Sequence, residues 1–395
     1  MIRVLQFVDN VERNDYVDVL VQRADPRRFQ VGICVRSGHS NIAPPVYANG
    51  TPRWVLNGLS RRGMPRAVWE LAGLMRRWRP DILHTHHYDA TVIGWLASWL
   101  YPRVRLVVGR HYSDAIYRSS TGLKQKAYLG VEQMVNRAAA RIIVPASTIR
   151  ELLTKRQGVP ADKVEWIPYG SVPDKYVQPP AGVIRQVRAR LGLEGRFAVA
   201  TFGRLHEEKG HRYLVEAASR LRSRLPRLTV LVAGEGPERP ALESQVRAAG
   251  LEDRVRLLGW QSDAMSIMAA VDAVVQPSLQ EAFSQVMYEA LWMGKPLVMT
   301  DVSGAVDVIR DGHNGLLVPR HDPGALAGAI EQLAGDPGLR ARLAAAGRAH
   351  VEEHLAIDKI IPRYELAYLK VLGLGPNGRP GSFPPSPRPE GDGRG

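Results

Sequence analysis

Along the chain, short apolar runs alternate with longer stretches in which apolar residues recur every three or four positions. A continuous apolar run of four to eight residues suits a strand buried on both faces, and the wider spacing suits an amphipathic helix. Their regular alternation is the pattern of parallel strands joined by helices, an α/β fold. In the first half, strands are expected near residues 2–8, 30–35, 81–84, 105–109, 141–144 and 164–167. Between them, Met64, Val68, Leu71, Leu74, Met75 and Trp78 share one helical face, with Arg66, Glu70, Arg76 and Arg77 elsewhere. In the second half, strands are expected near residues 197–202, 228–233, 255–259, 273–276 and 296–300, and residues 351–372 read as a terminal helical segment.

The stretch IPYGSVPDKYVQPPAG, residues 167–182, is rich in Pro and Gly and breaks the alternation, which marks a linker. The expected organisation is therefore a Rossmann-like domain over residues 1–178 and a second over residues 183–355. A helical segment follows over 356–372, then a Pro/Gly-rich tail over 373–395 that cannot bury apolar surface and should be disordered. The length of 395 residues exceeds what one core usually serves, and 45% hydrophobic with 23% charged residues is ordinary for globular domains. The single cysteine, Cys34 in QVGICV, permits no intramolecular disulfide and reads as a small buried hydrophobe. Residues 1–8 are too short an apolar run for a signal peptide, and residues 91–101 are too short to span a bilayer, so a cytoplasmic protein is expected.

Charge sharpens this picture. The net charge of +14 is uneven: residues 1–180 carry 26 Lys and Arg against 14 Asp and Glu, and the remainder 27 against 25. Such a basic half suits an acidic partner, whether phosphate, an anionic membrane face or nucleic acid, or reflects an arginine-rich composition alone. Arg53, Arg61, Arg62, Arg66, Arg76, Arg77 and Arg79, interleaved with Trp54, Trp69 and Trp78, suggest peripheral contact with an anionic membrane. No nucleic-acid motif accompanies the charge, and stacking aromatics are not clustered, so nucleic acid is not an expected partner.

Ligands of open parallel sheets lie beyond the carboxyl ends of the strands, and the chemistry-bearing strings occur there. AVATF runs into GRLHEEKG, in which Gly203 and Gly210 flank Arg204 and Lys209, two cations suited to a diphosphate. AVVQPS is followed by LQEAFSQVMYEALWMGKPLVMTD, in which Glu281 and Glu289 bracket seven residues. Ser284 is a natural N-cap for a helix beginning at Gln285, whose first-turn N–H groups, with those of Phe283 and Val286 nearby, face any anion in the cleft. Glu281 and Glu289 can accept hydrogen bonds from sugar and ribose hydroxyls. In the first half, His111 follows RLVVG, while His84, His86 and His87 fall in DILHTHHYDA, where strand alternation sends His84 and His86 to one side. No acidic or thiol residue completes a metal-ligand spacing, and no Asp-x-Asp triplet occurs, so no metal or other cofactor is expected.

With these residues in place, the sequence resembles the family 4 retaining glycosyltransferases of the GT-B fold over roughly residues 1–372. The strings that carry the likeness are TFGRLHEEKG, TVLVAGEGPERPAL, VRLLGW, EAFSQVMYEALWMGKPLVMTD and IRDGHNGLLVP, together with DILHTHH, the histidine of GRHYSD, VPAS and IPYG. The resemblance implies two Rossmann-like domains facing each other across a cleft, with a C-terminal helix returning to the first domain. It implies that Arg204 and Lys209 hold the donor diphosphate, Glu281 the transferred sugar and Glu289 the ribose, with His111 close to the reacting carbon. The reaction implied is transfer of a hexose-type sugar, with retention and without metal, from a nucleotide diphosphate-sugar to a hydroxyl of a saccharide, lipid-linked or small-molecule acceptor. Two departures stand out. Glu281-Ala282-Phe283-Ser284 replaces a glycine-rich EGFG, and Val8-Asp9-Asn10-Val11 replaces a Gly-Gly pair after the first strand. Asp9, Asn10 and His86 are the acceptor-side candidates. A nucleotide-sugar epimerase, a sugar phosphorylase and a non-catalytic anion-binding protein are the alternatives on the same fold.

Overall fold

The computed structural model describes residues 1–9, 15–37, 50–57, 63–111 and 122–380. Asn10, Arg61, Arg62 and residues 381–395, which carry expectations above, lie outside the described residues. Two all-parallel sheets organise the chain. The first contains β1 (Ile2–Val8), β2 (Phe29–Ser37), β3 (Arg53–Asn57), β4 (Ile82–His86), β5 (Arg105–Gly109), β6 (Arg141–Val144) and β7 (Val164–Trp166), in the spatial order β3-β2-β1-β4-β5-β6-β7. The second contains β8 (Phe197–Phe202), β9 (Leu228–Ala233), β10 (Val255–Gly259), β11 (Ala273–Gln276), β12 (Leu297–Thr300) and β13 (Leu316–Val318), in the order β10-β9-β8-β11-β12-β13.

Each sheet is covered on both faces, which is why its strands read as unbroken apolar runs. Leu5, Phe7, Leu83, Leu106 and Val108 pack under the helices Met64–Trp78 and Tyr88–Leu100 on one face of the first sheet. On its other face lie Val4, Val31, Ile82 and Val107. Strand order reverses at β1, between β2 and β4, and at β8, between β9 and β11, so each sheet opens a crevice at that point. The helix Ile357–Val371 leaves the second unit and returns to the first sheet, burying Ile360, Ile361, Tyr364, Tyr368 and Leu369 against Val4, Val17, Leu20 and Ile82. The GT-B architecture with a returning terminal helix is thus present.

Several elements differ from expectation. β4 runs to His86, placing His84 and His86 inside a central strand at 0% exposure instead of beyond its end. The polar partners that make such burial tolerable come from elsewhere in the chain. β3 and β13 carry no clear sequence signal, being an edge strand with Val55 exposed and a strand of only three residues. Residues 351–372 are the end of one helix, Pro337–His354, and the whole of another, Ile357–Val371. They are separated where Ser171 N–H donates to Leu355 O and Ile357 N–H donates to Ser171 O, each at 3.0 Å. The first part of the tail is ordered: residues 373–380 close a turn, with Leu374 bridged to Pro380 and the Arg28 guanidinium donating to Pro376 O at 2.9 Å. Leu374 packs on the first sheet's core, a contact that a composition-based reading of the tail misses.

Candidate active site

The second sheet presents its charged residues on two loops held against each other. Gly210, in the left-handed region at φ 64°, lets the loop after β8 approach the loop after β11: a Cβ here would fall 2.0 Å from Pro277 O. The contact brings Lys209 to Glu281, Nζ to Oε1 at 2.6 Å, and Ser278 Oγ donates to the same oxygen at 3.0 Å. Lys209 and Glu281 are 72 positions apart, and their side chains keep 19% and 10% exposure. Arg204 is more open, 68% exposed, and donates to Glu208 at 3.0 Å. A charge-assisted pair of this kind is short and holds both groups in place.

Ser284 caps the helix Gln285–Trp292, its Oγ accepting from Met287 N at 3.4 Å. Gln285 and Val286 begin the helix, so their N–H groups lack intrahelical acceptors and the positive end of the helix dipole faces the same loop. Phe283 is buried, while Glu289, one turn in, is half-buried. Gly203 ends β8 at φ 140°. Lys209, Glu281, Ser284 and the first helical turn therefore meet at the mouth of the second crevice, with Arg204 at its edge.

The first sheet contributes neutral groups. His111, two residues beyond β5, is half-buried and has both ring nitrogens engaged: Nε2 lies 2.8 Å from His86 Nδ1, and Nδ1 lies 2.5 Å from the Tyr169 hydroxyl. Burial, then the neighbouring His87 and His84, push the His111 imidazole well below the ordinary histidine range. Burial holds His84 near 3. His86 is lowered by burial and by the surrounding histidines, so this group is neutral near pH 7. Asp9, just after β1, accepts from Ala90 N at 3.0 Å and lies 3.3 Å from the buried Arg36. Desolvation outweighs the arginine and raises the Asp9 carboxyl to about 6.

Tyr169 joins the halves. It belongs to the linker, bonds His111 of the first unit and meets Phe283 of the second edge to face at 5.3 Å. A further bridge forms where Asp307 accepts from Ser147 N at 2.8 Å and from Ser147 Oγ, beside Thr148 donating to Ser303 at 2.8 Å. Sequence reasoning missed Tyr169 as a site residue. The string IPYG marks its position, but its two contacts depend on both domains. Tyr16, Gln6 and Tyr368, which stand behind His86, carried no local signal at all.

Comparison with known proteins agrees with the fold. Residues 196–336 match the family model described as glycosyl transferases group 1, and residues 14–175 match glycosyltransferase family 4. An alpha-D-kanosaminyltransferase of Streptomyces kanamyceticus is 34% identical over 309 residues, spanning 76% of either chain. A D-inositol 3-phosphate glycosyltransferase of Salinispora arenicola is 30% identical over 369 residues, 85% of this chain and 82% of the relative. Among solved structures, HepE of Anabaena in complex with UDP-glucose superposes with a TM-score of 0.77 at 23% identity, covering 94% of this chain and 99% of that one. Sucrose-phosphate synthase of Thermosynechococcus elongatus gives 0.78 at 22% identity, covering 94% and 100%. At these identities the structural likeness concerns the fold.

Proposed function

The chain belongs to the family 4, or group 1, glycosyltransferases, sugar transferases that use a nucleotide-sugar donor, and from that premise we propose how its residues divide the reaction. Arg204, Lys209 and the N–H groups of Gln285 and Val286 receive the donor diphosphate, and Glu281 and Glu289 accept from sugar and ribose hydroxyls. The observation that carries this reading is the Lys209–Glu281 pair at 2.6 Å beside the capped helix start, an anion site and a hydroxyl acceptor joined in one crevice. Transfer then proceeds with retention. The bond from the anomeric carbon to the diphosphate oxygen breaks, the acceptor oxygen bonds to that carbon on the same face, and the acceptor proton passes to the departing phosphate. No metal ion takes part: the charge growing on the leaving group is met by the two cations and the helix terminus.

On the acceptor side, the names of the relatives favour a hydroxylated ring, a cyclitol or a saccharide, received near Asp9; His86, fully buried, is not in its reach. The test is a panel of UDP-, GDP- and ADP-sugars scored by thermal shift, since a bound donor raises the melting point with its affinity. Radiolabelled transfer to cyclitol and saccharide acceptors in the presence of a chelator follows, with the product anomer read by NMR. Absence of any donor shift, loss of turnover on chelation, or an inverted product would each overturn the corresponding part.

Among the described residues, no helix is long and apolar enough to cross a membrane. Trp69 and Trp99 nonetheless stand 63% and 66% exposed near Arg66, Arg76 and Arg77, whereas Trp78 packs on Trp54 at 5.2 Å. That surface favours peripheral contact with an anionic bilayer from the cytoplasmic side. Salt-sensitive co-sedimentation with phosphatidylglycerol vesicles, lost on Trp69→Ala with Arg77→Ala, is the expected result; no binding of the full chain would sink it.

A further inference from the structure

His111 is the cleft end of a hydrogen-bonded chain that runs back through the first sheet to the returning helix. His111 Nε2 meets His86 Nδ1 at 2.8 Å, and His86 Nε2 meets Gln6 Oε1 at 2.8 Å. Gln6 Nε2 donates to the Tyr368 hydroxyl at 3.0 Å, and that hydroxyl meets His84 Nδ1 at 2.8 Å. Gln6, His86, His84 and Tyr368 are at most 4% exposed, so the members are shielded from bulk water. Gly109, beside them in β5, leaves the space they need: a Cβ there would sit 2.8 Å from both His111 Nε2 and His86 Nδ1.

The donor and acceptor inventory of these groups gives the chain a direction. An amide oxygen only accepts, so His86 Nε2 carries the proton and its Nδ1 is the acceptor of a neutral ring. The Tyr16 hydroxyl lies 3.1 Å from the same Nδ1, but two ring nitrogens 2.8 Å apart need a proton between them, so His111 Nε2 carries it and His111 Nδ1 is left as an acceptor for the Tyr169 hydroxyl. At the other end Gln6 donates to Tyr368, whose own proton goes to His84 Nδ1. Burial of His86 and His111 favours the neutral rings this arrangement requires.

We propose that the Tyr368 hydroxyl of the returning helix, acting through Gln6 and His86, fixes the tautomer and ring orientation of His111, making that helix a positioning element of the transfer site. The proposal rests on the proposed sugar transfer and on the place close to the reacting carbon that the family resemblance implies for His111. Docking the helix does not itself demand this chain, because Ile357, Ile360, Ile361 and Leu369 already bury an apolar face. What the polar chain adds is a defined nitrogen at the cleft: with Tyr368 setting Gln6, His111 Nδ1 is the lone pair offered to a hydroxyl, and Tyr169 now occupies it. Held geometry of this kind acts on the chemical step more than on binding.

The experiment uses the full-length chain. Tyr368→Phe keeps the buried ring and removes only the hydroxyl, and is expected to lower kcat roughly tenfold with donor KM nearly unchanged. In a His111→Ala background the same change should add no further loss, because residues acting as one unit are not additive. An equal loss in both backgrounds, or wild-type kcat in the single variant, overturns the proposal. Nitrogen-15 NMR of histidine-labelled wild type provides a second measurement that needs no variant. Neutral rings protonated at Nε2 for both His86 and His111 are expected; His111 protonated at Nδ1 overturns it. A wild-type chain that transfers no sugar defeats the proposed function, and the tautomer spectrum then decides the proton arrangement alone.

Discussion

The two walls of the cleft are built on opposite electrostatic plans. The second unit presents formal charges on half-open loops, Lys209 with Glu281 and Arg204 with Glu208. The first presents neutral imidazoles and phenols, His86, His111, Tyr169 and Tyr16, joined by hydrogen bonds and drawn away from water. The difference fits the division of labour proposed for the two walls. A diphosphate arrives hydrated and leaves more highly charged, so its site has to exchange ion pairs with solvent at hand. A residue placed to touch a neutral sugar gains from burial, because a low-dielectric surrounding holds one tautomer and one orientation.

The largest effect that would break this comparison comes from the charged wall. Lys209→Ala should reduce transfer by about a hundredfold to a thousandfold, the usual cost of removing a group aimed at developing charge. A radiometric transfer assay measures it, and turnover within tenfold of wild type would mean the loops are merely a solvated ion-pair surface. Acid tests burial in both walls next. Folded His84 and His211 are held near 3 and 4 by burial, below the unfolded value near 6.5. The unfolded chain therefore binds more protons below about 6.5, and each group costs about 1.4 kcal/mol of stability per pH unit as pH falls toward its folded value. Denaturant melts at pH 7 and pH 5 should show the loss; equal stability would mean that these histidines are not buried neutral.

A smaller effect sharpens the neutral wall. Gly109→Ala forces a methyl between His86 and His111 and should cost about 1–3 kcal/mol, with kcat falling more than donor affinity. Calorimetry with steady-state kinetics reads both. Asp307→Ala removes the acceptor of Ser147 N and Oγ across the two units, which at about 1 kcal/mol, the usual worth of such a cap, corresponds to roughly 2–4 °C in melting temperature. Smallest of all, Glu208→Gln unpairs the exposed Arg204 and should change stability by no more than about 0.5 kcal/mol. A larger drop would mean that Arg204 is held for structure before any donor arrives.

Legibility in the sequence divides along the same line. In the second unit the strand 197–202 and the strings GRLHEEKG and QEAFSQVMYEA can be read directly, because a charged loop of this kind is a local object: glycines, cations and a helix cap within a few residues of a strand end. In the first unit every strand but β3 is readable, yet polar histidines inside an apolar run look like a boundary, so the expected strand stops two residues short of the end of β4. The groups that satisfy them, Gln6 and Tyr368, lie 80 and 284 positions away from His86 and His84.

What the amino-acid sequence alone determined is the α/β alternation, two units with a linker, and the charged loops of the second crevice, since periodicity, turn chemistry and capping act over a few residues. Only the tertiary structure decided that Lys209 meets Glu281 across 72 positions, that Tyr169 spans the cleft, and that the terminal helix reaches His111 through Gln6 and His86. Those contacts depend on where elements dock, and a buried hydrogen bond between distant residues leaves no periodic trace in the chain that makes it.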